Sequence, residues 1–200
     1  MPKKYIAETI GTFALSFVVL GAVASSGHTP VVVPVIAALT LGLFVYTIGP
    51  ISGCNINPAV TLGLWSVKKV STSDTIGYIL AQLLGAFVAL IVANFSLIAS
   101  PMKPGIFDGK IFGAEMLGSF FFMFGIASVV YGKAKEQMSG IVIGGSLLLG
   151  ILVASVAGSA GILNPAVAFV LNSASLVYIL APIAGSVLAF QSYKFLTDSK

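Results

Sequence analysis

Charged positions are so sparse along the 200-residue chain that they leave very long apolar stretches between them. No Asp, Glu, Lys or Arg occurs in the 59 residues between Glu8 and Lys68, nor in the 57 between Glu136 and Lys194. A membrane-spanning helix needs roughly 20 apolar residues, so each stretch holds more than two crossings. Cutting at glycines, prolines and polar clusters predicts six spans, at about 5–26, 34–50, 75–99, 110–131, 138–158 and 176–196. Two apolar pieces are left over, 57–66 and 164–172. They are too short to cross a bilayer and too apolar for exposed loops.

Composition narrows the class further. The chain is 58% hydrophobic and 8% charged, with a mean hydropathy of +1.07, whereas charged residues make up about a quarter of a soluble domain. A single cysteine, Cys54, excludes an internal disulfide framework, and a single histidine, His28, argues against a zinc or redox centre. No cofactor and no enzyme chemistry are expected. All ten basic residues are lysines, so the guanidinium fork that grips phosphate is absent, and nucleic acid is not an expected partner. Lys3-Lys4 followed by an apolar run ending in Ala22-Val23-Ala24 imitates a secretory signal. Glu8 interrupts the start of that run, which favours a retained first span.

Lysine placement predicts orientation, because cytoplasmic loops carry the excess. With both termini cytoplasmic, Lys3, Lys4, Lys68, Lys69, Lys133, Lys135, Lys194 and Lys200 lie inside, and only Lys103 and Lys110 outside. The cell membrane is the expected location.

The two halves repeat one another. Ala7-Glu8-Thr9-Ile10-Gly11-Thr12-Phe13 matches Ala114-Glu115-Met116-Leu117-Gly118-Ser119-Phe120 at an offset of 107, and Asn57-Pro58-Ala59-Val60 matches Asn164-Pro165-Ala166-Val167 at the same 107. Tyr78-Ile79-Leu80-Ala81 recurs as Tyr178-Ile179-Leu180-Ala181 at an offset of 100. Three spans per half is an odd number, so the repeats, about 1–104 and 105–200, must enter the membrane from opposite faces. Asparagine is a strong N-cap and proline suits the first helical position, so each leftover piece reads as a half-helix dipping in from one face. Ten residues give about 15 Å of helix, so two end to end cover the roughly 30 Å hydrocarbon core. Irregular backbone at that depth persists only where protein buries it or water lines it.

Six spans, two Asn-Pro-Ala half-helices, a glutamate in the first and fourth spans, and the run from Ser52 to Val60 resemble the aquaporin, or major intrinsic protein, family over nearly the whole chain. The resemblance implies an all-α membrane protein of six transmembrane helices plus two re-entrant half-helices. It also implies one channel domain over 1–200, one pore per subunit and assembly as a homotetramer. Asn57, Pro58, Ala59, Asn164, Pro165 and Ala166 would form the pore centre, the asparagines donating to a passing oxygen as well as capping their helices. Glu8 and Glu115 are ionisable groups in spans, which marks a proton relay or another function by default. In the family they resemble buried acceptors that support the re-entrant loops. Where the family commonly has an arginine three residues after the second motif's asparagine, this chain has Val167. By the family's spacing the rest of the outer constriction is Ala37, Leu152 and Gly161, with Ile151 or Val153 replacing Leu152 if one residue is gapped. That ring is wide and apolar. Asn55 stands where a histidine is frequent, and Ala168-Phe169 where glycerol channels carry an aspartate.

The remaining features read as packing. Gly77, Ala81 and Gly85, like Ala181, Gly185 and Ala189, set small residues four apart on one helix face. Phe120-Phe121-Phe122 and Phe124 are expected in packing or lipid contact, and Cys54 either near the pore or in packing. The expected function is a passive channel for water and small uncharged solutes such as glycerol or urea. An ion-coupled secondary transporter, which also uses inverted repeats, and a closed structural member are the alternatives.

Overall fold

The computed structural model describes residues 2–25, 32–96, 98–100, 102–103 and 107–198. His28 and Lys200 lie outside them. Within the described residues the chain is all-helical, with six helices long and apolar enough to cross a membrane: α1 (Pro2–Ser25), α2 (Val32–Ser52), α4 (Thr72–Phe95), α5 (Gly109–Val130), α6 (Ser139–Val156) and α8 (Leu176–Thr197). Two short helices, α3 (Pro58–Ser66) and α7 (Pro165–Val170), fall in the two leftover apolar pieces. A helix satisfies its own backbone polar groups, which hydrocarbon cannot do. Leucines such as Leu39 and Leu43 can therefore face outward freely.

Helix ends follow local chemistry. Ser71 caps α4 by accepting from the Asp74 N–H at 3.1 Å, and Asp108 caps α5 by accepting from the Lys110 N–H at 2.7 Å. Both half-helices close in the same way, with one residue in the left-handed region (Lys68 at φ 61°, Asn172 at φ 56°). The N–H groups of that residue and of the one after it turn back onto the last carbonyls: Lys68 to Trp65 and Lys69 to Leu64, Asn172 to Phe169 and Ser173 to Ala168. This termination leaves α7 only six residues, against nine for α3. The two together therefore reach about 22 Å, short of the full core expected from the sequence.

The halves interlock. α1 packs on α4 and α2, α5 on α8 and α6, and α2 on α6. Each half-helix crosses to the other half, α3 packing against α8 and α7 against α4 and α1. Glycines set the closest crossings: a Cβ on Gly42 would stand 2.8 Å from the Gly140 carbonyl oxygen, and one on Gly118 2.5 Å from that of Gly150. Gly85 meets the α1 backbone at Thr9, and Gly185 the α5 backbone at Met116, in matching positions of the two halves.

Candidate functional site: a lumen between two re-entrant loops

The segments entering α3 and α7 run as irregular backbone, with left-handed residues at Cys54 and Ile56 in one and at Gly161 and Leu163 in the other. Each pair is related by the offset of 107 seen in the sequence. Such turns leave N–H groups without helical partners, and buried carboxylates receive them. Glu8 accepts from the Ser52 hydroxyl (2.7 Å) and the Asn55 N–H (2.9 Å) on Oε1, and from the Ile56 N–H (2.7 Å) and the Gln82 amide (2.8 Å) on Oε2. Glu115 accepts from the Ser159 hydroxyl and the Ile162 N–H (3.0 Å) on Oε1, and from the Leu163 N–H (2.9 Å) on Oε2. Both glutamates are wholly buried.

Ser52 and Ser159 are also related by 107, and each hydroxyl additionally accepts a loop N–H, from Cys54 (3.1 Å) and Gly161 (3.4 Å) respectively. Sequence reasoning did not single out this serine pair, although the offset carried it.

Asn57 and Asn164 cap α3 and α7, their Oδ1 atoms accepting from the Ala59 N–H (2.8 Å) and the Ala166 N–H (3.0 Å). Their Nδ2 groups reach across the interface between halves. Asn57 donates to the Leu163 carbonyl at 2.9 Å, and Asn164 to the Ile56 carbonyl at 3.1 Å. Each amide has two N–H bonds. One ties the loops together and the other is left for the lumen that both asparagines line. Pro58, Ala59, Pro165 and Ala166 form the buried first turns behind them.

Among the described residues, two adjoining cavities lie in the interior. One, about 280 Å³ and outer in the orientation that the lysines predict, is lined by Ala37, Ile151, Gly161 and Val167 together with Asn57 and Asn164. The inner, about 330 Å³, is lined by Val45, Cys54, Val60, Ile126 and Ile143, with Glu136 at its mouth. Among the described residues, no charged side chain lines the outer cavity.

Leu152 is misplaced by the sequence reading. Its side chain is 40% exposed on the outer face of α6, while Ile151, one helical step of about 100° away, is 6% exposed and lines the lumen. Gly161 seats against that residue, since a Cβ there would lie 2.9 Å from the Ile151 carbonyl oxygen. The phenylalanine run also divides: Phe121 is exposed, Phe124 packs edge-on against Tyr193, and Phe122 lines both cavities. Cys54 lines the inner cavity, and no group of three or more metal-ligating side chains occurs among the described residues.

Two inverted three-helix halves, each contributing a half-helix that starts at a buried Asn-Pro-Ala beside a lumen, define a membrane channel. The chain belongs to the Major intrinsic protein family, whose match runs over residues 1–193 and whose members are passive channels rather than enzymes. It is 35% identical to aquaporin AqpM of Methanothermobacter thermautotrophicus across 99% of this chain and 98% of that one. It is 33% identical to glycerol uptake facilitator protein-like 6 of Lactiplantibacillus plantarum across 94% of each. The crystal structure of the aquaglyceroporin from Plasmodium falciparum shares the fold, with a TM-score of 0.72 at 23% identity over 96% of this chain and 94% of that one.

Proposed function

We propose that this integral membrane protein is a passive channel for water and small uncharged solutes such as glycerol or urea, driven by osmotic and concentration gradients. It sits in the cell membrane as a homotetramer with both termini cytoplasmic. The observation that carries the reading is the pair of asparagine amides lining a lumen whose outer ring, Ala37, Ile151, Gly161 and Val167, has no charged group. The amides replace hydrogen bonds that a solute oxygen leaves behind in water. The positive ends of α3 and α7 oppose cations at the same point. Two half charges acting on a cation at 5 Å through an effective dielectric of about 20 amount to roughly 3 kcal/mol, with the six-residue α7 supplying the smaller part.

The names of the relatives support both solute classes, one being called an aquaporin and another a glycerol uptake facilitator. Against ion-coupled transport, Glu8 and Glu115 are engaged by their loops, and the carboxylate that does border the lumen among the described residues, Glu136, is exposed and stands ahead of α6 rather than at the asparagines. The test is light scattering from vesicles carrying the purified protein. Shrinkage in sucrose faster than in protein-free vesicles, with re-swelling in glycerol, is expected. Identical rates with and without inserted protein refute a water channel.

A further inference from the structure

The outer and inner cavities share three lining residues, Leu41, Asn55 and Phe122. Any solute crossing from one to the other passes between them. Leu41 is on α2 and Phe122 on α5, and α6 packs between those helices, so the two side chains meet the lumen from separate walls. Both are buried, at 3% and 2% exposure. Phe122 is held from behind by α6, where a Cβ on Gly150 would lie 2.9 Å from its own Cβ.

The repeat makes this position asymmetric. At the offset of 107 the partner of Phe122 is Leu15, which lines the outer cavity alone. The outer ring, meanwhile, is built of small or branched aliphatic side chains, with no aromatic ring and no arginine. Among the described lining residues the aromatic rings are Tyr46, which borders the inner cavity alone, and Phe122, which borders both, so Phe122 is the rigid group that stands where the cavities meet. Beside it, Asn55 directs one N–H of its Nδ2 to the Thr61 hydroxyl (3.2 Å), and no donor among the described residues reaches its Oδ1, which gives the septum an acceptor.

We propose that the Phe122–Leu41 septum, with Asn55 as its polar member, sets the solute size limit of this channel, and that the outer ring does not. The proposal rests on the channel reading above and assigns its specificity to mid-membrane. Solutes pass the outer ring, shed water, offer a hydroxyl or amide hydrogen to Asn55, and are sorted by cross-section against the Phe122 ring.

The test measures water, urea, glycerol and erythritol permeability of vesicles carrying the parent protein, Phe122→Leu, Leu41→Val or Ile151→Val. Phe122→Leu installs the residue of the other half and is expected to raise the glycerol-to-water ratio at least threefold, with erythritol beginning to pass. Leu41→Val opens the septum from the other wall with little loss of volume, so it serves if Phe122→Leu folds poorly, and it moves the ratio in the same direction. Ile151→Val, a comparable trimming of the outer ring, moves it less. A larger rise for Ile151→Val than for either septum variant, or an unchanged ratio in folded Phe122→Leu and Leu41→Val, overturns the proposal while leaving the channel reading intact. A parent protein that passes no water overturns both.

Discussion

Glu8 offers the sharpest quantitative test of how the loops stay at membrane depth. Its four donors are divided two and two between the oxygens, with one loop N–H on each, Asn55 on Oε1 and Ile56 on Oε2. Glu8→Gln keeps the size but turns one oxygen into an NH2 group. If that group takes the Oε1 place, the Ser52 hydroxyl can rotate to accept from it, but the Asn55 N–H then faces another donor. If it takes the Oε2 place, Gln82 can turn its otherwise unpartnered Oε1 toward it, but the Ile56 N–H is stranded. Either orientation leaves one buried N–H unpaired, at a cost of about 1–3 kcal/mol.

A chain of this length loses roughly 2–4 °C of melting temperature per kcal/mol. Glu8→Gln should therefore melt about 2–12 °C below the parent in detergent. Glu8→Leu strands both N–H groups and the Gln82 amide, about 3–9 kcal/mol, an amount comparable with a whole domain's stability of about 5–15 kcal/mol. It is expected to yield little folded protein. Glu115 lacks a counterpart of Gln82, because the position related by 100 is Pro182. Its three donors leave one N–H stranded in either orientation, so Glu115→Gln should cost no more than Glu8→Gln. A Glu8→Leu protein with the parent's melting temperature and water permeability would refute the reasoning.

Asn164→Asp retains the cap but sets a carboxylate oxygen against the Ile56 carbonyl in place of the 3.1 Å donor contact. Planar-bilayer recordings should show new cation conductance at a modest loss of stability, and an unchanged conductance would reduce Asn164 to a helix cap. Val167→Arg puts a guanidinium into the outer cavity beside the Ala160 and Ile162 backbone, where it must find carbonyls to avoid the penalty of a buried unpaired charge. It should lower glycerol flux more than water flux in vesicle assays, and an unaltered ratio in folded protein would show that Val167 does not border the path. Because Cys54 lines the inner cavity, a small organomercurial should block water flux and Cys54→Ser should abolish the block; persistence of the block in that variant would remove Cys54 from the lumen.

The elements legible in the sequence are those that the bilayer and the repeat dictate separately and agree upon. The spans follow from spacing between charges, and the observed helix ends fall within about four residues of the predicted ones, at the ±2–4 scale to which boundaries are readable. The half-helix starts are legible because capping needs particular residues at particular places, and Asn57-Pro58 and Asn164-Pro165 supply them. The end of α3 at Ser66 is the predicted one, since Lys68-Lys69 bound the apolar run, whereas α7 ends at Val170, two residues before the predicted 172, because Asn172 stops it through a left-handed turn.

The lumen wall illustrates the harder limit. In a soluble helix a polar face and an apolar face announce which side is buried, but in α5 and α6 both the lipid side and the lumen side are apolar, so the periodic contrast vanishes. Leu152 and Ile151 are interchangeable by composition, and a shift of one position turns a pore residue toward lipid. The same degeneracy hid Phe122 between Phe121 and Phe124. What breaks it is the second copy of the pattern. Ser52 and Ser159, Cys54 and Gly161, and Leu15 and Phe122 each keep the offset of 107, so a residue whose mate faces the lumen is a candidate to face it too. Divergence within such a pair then marks where the two ends of the pore have become unequal. Leu15 and Phe122 are the pair in which the divergence adds bulk at mid-membrane, which makes Phe122 the position where a change of one side chain should alter what the channel admits.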